Sequence, residues 1–409
     1  MTALRVDGLY KVFGRHAAQS VNRLRAGASA DEIRAEGGTP AVIDVSLAVE
    51  PGEIFVVMGL SGSGKSTLLR MLNGLLEPTA GTVHVGDDEI TALSGKALRE
   101  VRQRRISMVF QHFALLPHRS VVDNAAYALE VRGVDRRTRL AAANEALAMV
   151  GLEGQADKRP DELSGGMQQR VGLARALASE ADVLLMDEAF SALDPLIRRE
   201  MQDQLLELQA RLGKTIVFIT HDLNEAMRLG DRVAVMRDGR VVRLGTPESI
   251  LDDPGDEYVE RFLADVDRAR VYTAADVMAP VSVVPVDVPP AVALEALGGR
   301  GVTALAVVDR AGKLMGVVSA ADLRAAAGDV TAAVRPPAAQ VPATATLAEL
   351  LGPAGASYAP VAVVDDAGRP CGLVDARAVL GALAGATDDG RPPAGSVDDR
   401  AELLEGSRG

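Results

Sequence analysis

Short runs of unbroken apolar residues recur through the first 265 positions: Val56-Val57-Met58, Ser107–Phe110, Val183–Met186 and Ile216–Ile219. Runs of this length without polar alternation suit strands buried on both faces of a parallel sheet. Helical spacing fills the gaps between them. Met201, Leu205, Leu208 and Leu212 recur at intervals of four, three and four, which is one core-facing stripe of a helix. Pro195, just after Asp194, suits the first turn of that helix. The alternation of the two patterns from Met1 to about Leu263 predicts an α/β domain.

After about Arg270 the pattern changes and repeats itself. Leu305–Val318 aligns without gaps with Val361–Val374, so that Asp309, Gly312 and Gly316 fall on Asp365, Gly368 and Gly372 at a constant offset of 56. Each copy predicts a strand, an Asp/Gly turn, a second strand and a short helix. The predicted organisation is therefore a domain over 1–265, with a helical insert at about 16–40 and a helical subdomain at about 112–178, then repeats over 271–328 and 329–385. The remainder, 386–409, is acidic and rich in Gly and Pro, and is expected to be disordered.

Composition narrows the function classes. With 48% hydrophobic and 24% charged residues the chain reads as an ordinary soluble globular protein. A formal charge of −12 argues against a broad electrostatic grip on nucleic acid, and none is expected as a partner. No apolar run approaches the roughly 20 residues that span a bilayer, and no signal-peptide core opens the chain. The expected setting is cytoplasmic, with any membrane role supplied through a partner. The single cysteine, Cys371, excludes an intramolecular disulfide and is expected to be a small buried apolar residue.

Candidate chemistry starts at Gly59–Ser66, which fits Gly-x4-Gly-Lys-[Ser/Thr] between a predicted strand (Ile54–Met58) and a helical stretch (Ser66–Asn73). Gly59, Gly62 and Gly64 let the backbone of this loop, with Ser61 and Ser63, wrap phosphates at a helix N-terminus. Lys65 is expected to bridge the β- and γ-phosphates, Ser66 to coordinate Mg²⁺, and Thr67 to add a phosphate contact. Asp187 ends an apolar run, so its carboxylate is expected at the C-terminal edge of the sheet, holding Mg²⁺ through water. Glu188 is the candidate general base for an attacking water.

Taken with Leu163–Arg170 (Leu-Ser-Gly-Gly-Met-Gln-Gln-Arg) and Val183–Glu188, these elements resemble an ABC-type ATPase, in which each ATP is sandwiched between two copies of the domain. The resemblance implies a RecA-like P-loop ABC ATPase domain with a helical subdomain, ATP and Mg²⁺ as ligands, and a second copy as partner. It implies that Gln111 contacts Mg²⁺ and the attacking water, and that His221 contacts the γ-phosphate. Ser191–Asp194 would join the sites of the two subunits. Ser164, Gly165 and Gly166 would reach the γ-phosphate held by the other copy. Phe13 fits the aromatic that stacks on adenine, with core packing as its competing reading. Met167 stands where the family's commonest form has Gln; Ser and the glycines make the contact, so the departure marks a subgroup rather than a loss of activity.

One ATPase unit, no heptad insertion and no basic extension resemble a transporter subunit more than a repair or translation ATPase. The apolar loop Gln111–His118 resembles the surface that receives a coupling helix from a membrane permease. The insert from about His16 to Pro40, with Ala30-Asp-Glu-Ile33, together with Met186–Pro195 and the C-terminal repeat, resembles the ATP-binding subunit of glycine betaine/proline-type importers. That implies a permease, a substrate-binding protein acting indirectly, and a place at the cytoplasmic face of the inner membrane. Importers of another solute (choline, carnitine, an amino acid) and a non-transport ABC ATPase are the alternatives. A quaternary ammonium is held by an aromatic cage; with no Trp and 3% aromatics, this chain leaves that cage to another subunit.

The repeats resemble a tandem pair of CBS domains, an α+β module. In that family Gly-h-h-[Ser/Thr]-x-x-Asp holds a nucleotide's phosphate and ribose, and the first repeat keeps it with Gly316, Ser319 and Asp322. The second has Gly372, Asp375 and Ala378, an acid set against phosphate. At most one nucleotide site per chain is implied. A dimerising spacer and an ionic-strength sensor remain the other readings of the pair.

Overall fold

The computed structural model describes residues 2–111, 113–264, 266–298, 303–326 and 329–384, and divides between Val266 and Asp267 into two units. The tail expected to be disordered, 386–409, lies outside the described residues.

The first unit opens with β1 (Leu4–Phe13), continues through α1 (Ala17–Arg25) and α2 (Ala30–Ala35), and returns as β2 (Thr39–Val49), antiparallel to β1 with Phe13 opposite Thr39. Ser29 and Glu32 form a reciprocal capping box that starts α2. Val21, Leu24 and Ile33 pack on Tyr10, Val12 and Ile43, so the insert is docked on the strands that flank it. Next come β3 (Ile54–Met58), α3 (Lys65–Leu72), β4 (Ala80–Val85), β5 (Asp88–Glu89), α4 (Gly95–Arg105) and β6 (Ile106–Val109). A helical stretch follows: α5 (Val121–Ala125), α6 (Tyr127–Val131), α7 (Arg136–Met149) and α8 (Gly165–Ala178). The chain then runs through β7 (Val183–Asp187), α9 (Pro195–Leu212), β8 (Thr215–Thr220), α10 (Leu223–Leu229), β9 (Arg232–Arg237) and β10 (Arg240–Gly245), ending in α11 (Pro247–Asp252) and α12 (Glu257–Leu263).

Two sheets result. One has the order β10-β9-β3-β8-β7-β6 and is parallel except at β10; the other, β2-β1-β4-β5, is antiparallel. Phe55, Val57, Leu185, Val217 and Ile219 of the first sheet share one core with Leu4, Val6, Leu9 and Val45 of the second and with Leu68, Leu69 and Leu72 of α3. Burial on both faces explains the unbroken apolar runs: β3 and β8 are buried at every position, and β7 until its final Asp187. In α9, Asp194 caps the N-terminus by accepting from the Ile197 N–H at 3.1 Å, Pro195 occupies the first turn, and Met201, Leu205 and Leu208 are buried. Because β3, β6, β7 and β8 are parallel, the residues following all four emerge at one edge.

The second unit contains β11 (Ala279–Pro280), β12 (Val283–Pro285), β13 (Ala304–Val308), β14 (Leu314–Ser319), β15 (Gln340–Val341), β16 (Val361–Val364) and β17 (Pro370–Val374), in sheets β12-β13-β14 and β11-β17-β16-β15. The two repeats exchange their leading segments. Ala279 pairs with Leu373 of the second hairpin, and Arg335 bridges Val317 of the first. Residues 279 and 335 are themselves 56 apart, as are 317 and 373, so the exchange follows the sequence repeat. Ala304, Ala306 and Val317 pack against Ala362 and Leu373 in one shared core.

Cys371 is exposed, not buried. Both hairpins carry a register shift at the same place, between Val307 and Val308 and between Val363 and Val364. The extra residue of a bulge loses its cross-strand partner. Here the extra residues are Met315 and Cys371, which fall at equivalent repeat positions and face outward.

Candidate functional site

The loop between β3 and α3 is pressed against its surroundings at two of its glycines. Gly59 (φ 150) and Gly64 (φ 103) have left-handed backbone, and a Cβ on either would lie 2.2 Å from a carbonyl oxygen, of Met236 and Ala41 respectively. Only glycine fits that conformation and that approach. Gly62 (φ 83) has free space around it, Ser61 is exposed, and Ser63 is buried with no hydrogen-bond partner for its Oγ. Lys65 is only 5% exposed; its Nζ donates to the carbonyls of Gly59 at 2.7 Å and Leu60 at 3.0 Å. Burial lowers the Lys65 pKa, and the nearby carboxylates of Glu188 and Asp187 oppose that shift.

An ammonium curled back on its own loop, an orphan hydroxyl and the N-terminus of α3 fit a polyphosphate. The Ser66 Oγ donates to Asp187 Oδ1 at 3.3 Å, and Thr67 is half-buried one residue on. Burial raises the Asp187 pKa, partly offset by the Ser66 hydrogen bond. One hydroxyl and one carboxylate beside phosphate oxygens fit Mg²⁺, which is usually bound by few protein ligands together with substrate phosphate. Among the described residues there is no cluster of three or more His, Cys, Asp and Glu side chains that would cage a metal alone.

Glu188 follows β7 directly and has left-handed backbone (φ 45), with its N–H donating to Ile219 O at 3.0 Å. This twist turns the carboxylate toward the ends of β6 and β8. There Gln111 Nε2 lies 3.3 Å and His221 Nδ1 3.1 Å from Glu188 Oε2. Gln111 also donates to Ser191 Oγ at 3.2 Å, and that hydroxyl donates to Glu188 O at 2.9 Å. The structure thus brings Gln111, Asp187, Glu188, His221, Lys65 and Ser66 to one sheet edge. Ser164, by contrast, caps α8, accepting from the Met167 N–H at 3.3 Å, with Gly165 and Gly166 as the first helical residues. A Cβ on Gly166 would lie 2.6 Å from Ile197 Cγ2, so the helix start is packed against α9. Among the described residues no hydrogen bond joins Ser164 or Asp194 to the phosphate loop of the same chain. Phe13, at the end of β1, is 43% exposed, which removes the core-packing reading.

Three supporting residues carry no sequence signal. Arg198 of α9 latches the loop before it, donating to the carbonyls of Phe190 (3.2 Å), Ser191 (3.3 Å) and Leu193 (3.1 Å). Arg175 of α8 donates to the carbonyls of Ala114 at 2.8 Å and Phe113 at 3.1 Å, and its burial lowers its pKa. Fully buried Asn124 holds Leu116 from both sides, accepting from its N–H at 2.7 Å and donating to its carbonyl at 3.1 Å. Together Arg175 and Asn124 shape the apolar loop 113–118. An arginine and an asparagine in helices look the same in sequence whether they grip a loop or face water.

In the second unit Ser319 and Asp322 are adjacent, but as a capping box on the helix Ala320–Ala325, with Ser319 Oγ 2.6 Å from Asp322 Oδ2. Arg335 adds an ion pair to Asp322 at 3.3 Å, and these contacts hold its carboxyl below the usual range. Asp375 accepts from the Ala378 N–H at 2.8 Å, the same capping job in the second repeat.

Comparison with known proteins gives a consistent result. The ABC transporter family model matches residues 42–191 and the CBS domain model residues 274–329. The glycine betaine transport ATP-binding protein OpuAA of Bacillus subtilis is 50% identical over 93% of this chain and 92% of its own length. The glycine betaine/proline betaine transport system ATP-binding protein ProV of Salmonella typhimurium is 48% identical over 93% of this chain and 97% of its own. Among solved structures, the dimeric ABC transporter cassette MJ0796 is 32% identical, with a TM-score of 0.51 over 60% of this chain and 98% of that one. The same cassette is also known as a dimer bound to ADP and Pi, in a post-hydrolysis state.

Proposed function

The chain belongs to the ATP-binding proteins of ABC transporters, the family of the betaine transport proteins just described, and from that premise we propose that it powers import of glycine betaine- and proline betaine-type solutes. It is an ATPase, and the observation that supports the assignment of residues is the convergence of Lys65, Ser66, Asp187, Glu188, Gln111 and His221 at one sheet edge. Ser66 and Asp187 are the residues that would hold Mg²⁺, which supplies charge neutralisation on the phosphates. Gln111 and His221 fix the Glu188 carboxylate, which takes the proton of the attacking water. Catalysis of this kind is mainly positioning and electrostatics.

Ser164, Gly165, Gly166 and Asp194, which make no hydrogen bond to the chain's own phosphate loop, face the ATP of a second copy in this reading. The loop 113–118 is the seat for a permease, and because Arg175 ties it to the helix that Ser164 opens, docking and closure share one element. No helix among the described residues is long and apolar enough to cross a membrane. In this reading the protein works at the cytoplasmic face of the inner membrane through that permease, with the substrate-binding protein indirectly engaged. The repeat unit regulates the cycle.

Glu188→Gln is the direct test. Hydrolysis is expected to fall about 100-fold or more, while ATP binding persists and sizing chromatography with ATP shows a dimer. A monomer under those conditions, or hydrolysis at the normal rate, would refute the assignment. Uptake of labelled glycine betaine at high osmolarity by cells carrying the transporter tests the solute. Trimethylamine N-oxide is the competitor to include, because the ATP-binding protein TmoW of Ruegeria pomeroyi, named for that solute, is 54% identical over 65% of this chain.

A further inference from the structure

A cavity of about 450 Å³ opens beside the exposed ring of Phe13. Its other walls come from the segment Gly14–Ala17 that enters α1, Gln19 and Ser20 of α1, the Arg23–Glu36 ion pair, and Gly37 and Gly38 after α2. We propose that α1 and α2, with Phe13, form the pocket for the purine base of ATP, and that Gln19 reads its adenine edge. The inference rests on the ATP-binding reading above and adds to it a second wall, opposite Phe13, and a basis for choosing the base.

Position supports this. Phe13 is paired with Thr39, and two residues further along β2 the carbonyl of Ala41 is what a Cβ on Gly64 would strike. Two residues of extended strand measure about 7 Å, so the cavity lies within one nucleotide's reach of the N-terminus of α3. Its volume also falls in the range of small-molecule sites, about 300–1,000 Å³.

Chemistry supports it too. A purine offers a flat face to an aromatic ring and a hydrogen-bonding edge to an amide. The Gln amide matches the N6 donor and N7 acceptor of adenine as a bidentate pair. Guanine presents O6 and N7, both acceptors, and so leaves the Gln19 carbonyl oxygen facing a lone pair. Packing and capping keep the insert rigid enough to discriminate. The α2 helix starts from its capping box, Ile33 is fully buried, and a Cβ on Gly38 would lie 2.8 Å from the Ile33 side chain.

Isothermal titration of the full chain with Mg²⁺ and ATP, GTP or inorganic triphosphate tests the inference, using the unaltered protein, Gln19→Ala, and Gln19→Met, which keeps the bulk but not the amide. The unaltered protein is expected to prefer ATP to GTP by about tenfold or more, the low end for one bidentate pair. Both variants are expected to lose that preference by weakening ATP about tenfold, with triphosphate affinity unchanged. An ATP-to-GTP ratio unaffected by both substitutions overturns the inference while leaving the ATP reading intact. Loss of triphosphate binding in both variants also overturns it, because the damage would not be at the base. Failure of the unaltered protein to bind either ATP or triphosphate would instead remove the ATP reading itself.

Discussion

Gly64 shows how much of the site depends on a side chain that is absent. With a φ of 103 and only 2.2 Å between an added Cβ and Ala41 O, the position leaves no room for one. Gly64→Ala is therefore expected to destabilise the first unit by about 2 kcal/mol or more and to abolish nucleotide binding, measurable by urea titration and calorimetry on the same sample. The glycine spacing of this loop was legible in sequence because backbone wrapped round phosphate has no substitute for glycine. The left-handed turn at Glu188 was not legible: Asp187-Glu188 reads the same whichever way the second acid points. A non-glycine residue held in that region costs on the order of 1–2 kcal/mol, and here the twist is what presents the carboxylate to Gln111 and His221.

At the level of elements, the turn that carries His221 is propped from below by α10. Glu225, buried at 4% exposure, accepts from Gln202 Nε2 at 3.0 Å and from the Thr220 hydroxyl, which in turn accepts from the Asp222 N–H at 2.9 Å. Burial raises the Glu225 pKa above its ordinary 4.5. The unfolded chain thus releases this proton first as pH rises, and the contribution of the group to stability falls between 4.5 and the raised folded value. Glu225→Gln removes that loss. Its melting temperature relative to the unaltered protein is expected to climb across this window and then level off, as melts from about pH 4 to 8 would reveal. The strands at the centre of the first sheet were legible because burial on two faces leaves an apolar run. The contribution of Arg175, Asn124 and Arg198 was not, because each acts through backbone carbonyls that carry no residue identity.

At the scale of the whole molecule, the repeat was legible and its exchange was not. A constant offset of 56 identifies two copies, but nothing in either copy says that its leading segment pairs with the other. The glycines at the crossing points make the exchange testable. A Cβ on Gly316 would lie 2.5 Å from the Arg335 carbonyl oxygen, which is backbone, whereas one on Gly372 meets only the side chain of Met278, its Sδ at 2.5 Å and its Cβ and Cγ at 2.8 Å. Gly316→Ala is expected to destabilise the second unit more than Gly372→Ala, although the positions are equivalent by repeat. Chemical denaturation of the two variants compares them directly, and equal losses would count against the Arg335 carbonyl as the limiting contact.

The outward bulge at Cys371 has a practical consequence. The chain's only thiol stands on the surface of the second unit, so one maleimide dye per chain marks that unit alone. Partial burial raises the thiol's pKa, which favours labelling at mildly alkaline pH. Two chains paired around ATP would then carry two identical reporters, and energy transfer between them would report on the spacing of the second units as nucleotide and salt are varied, without altering a residue.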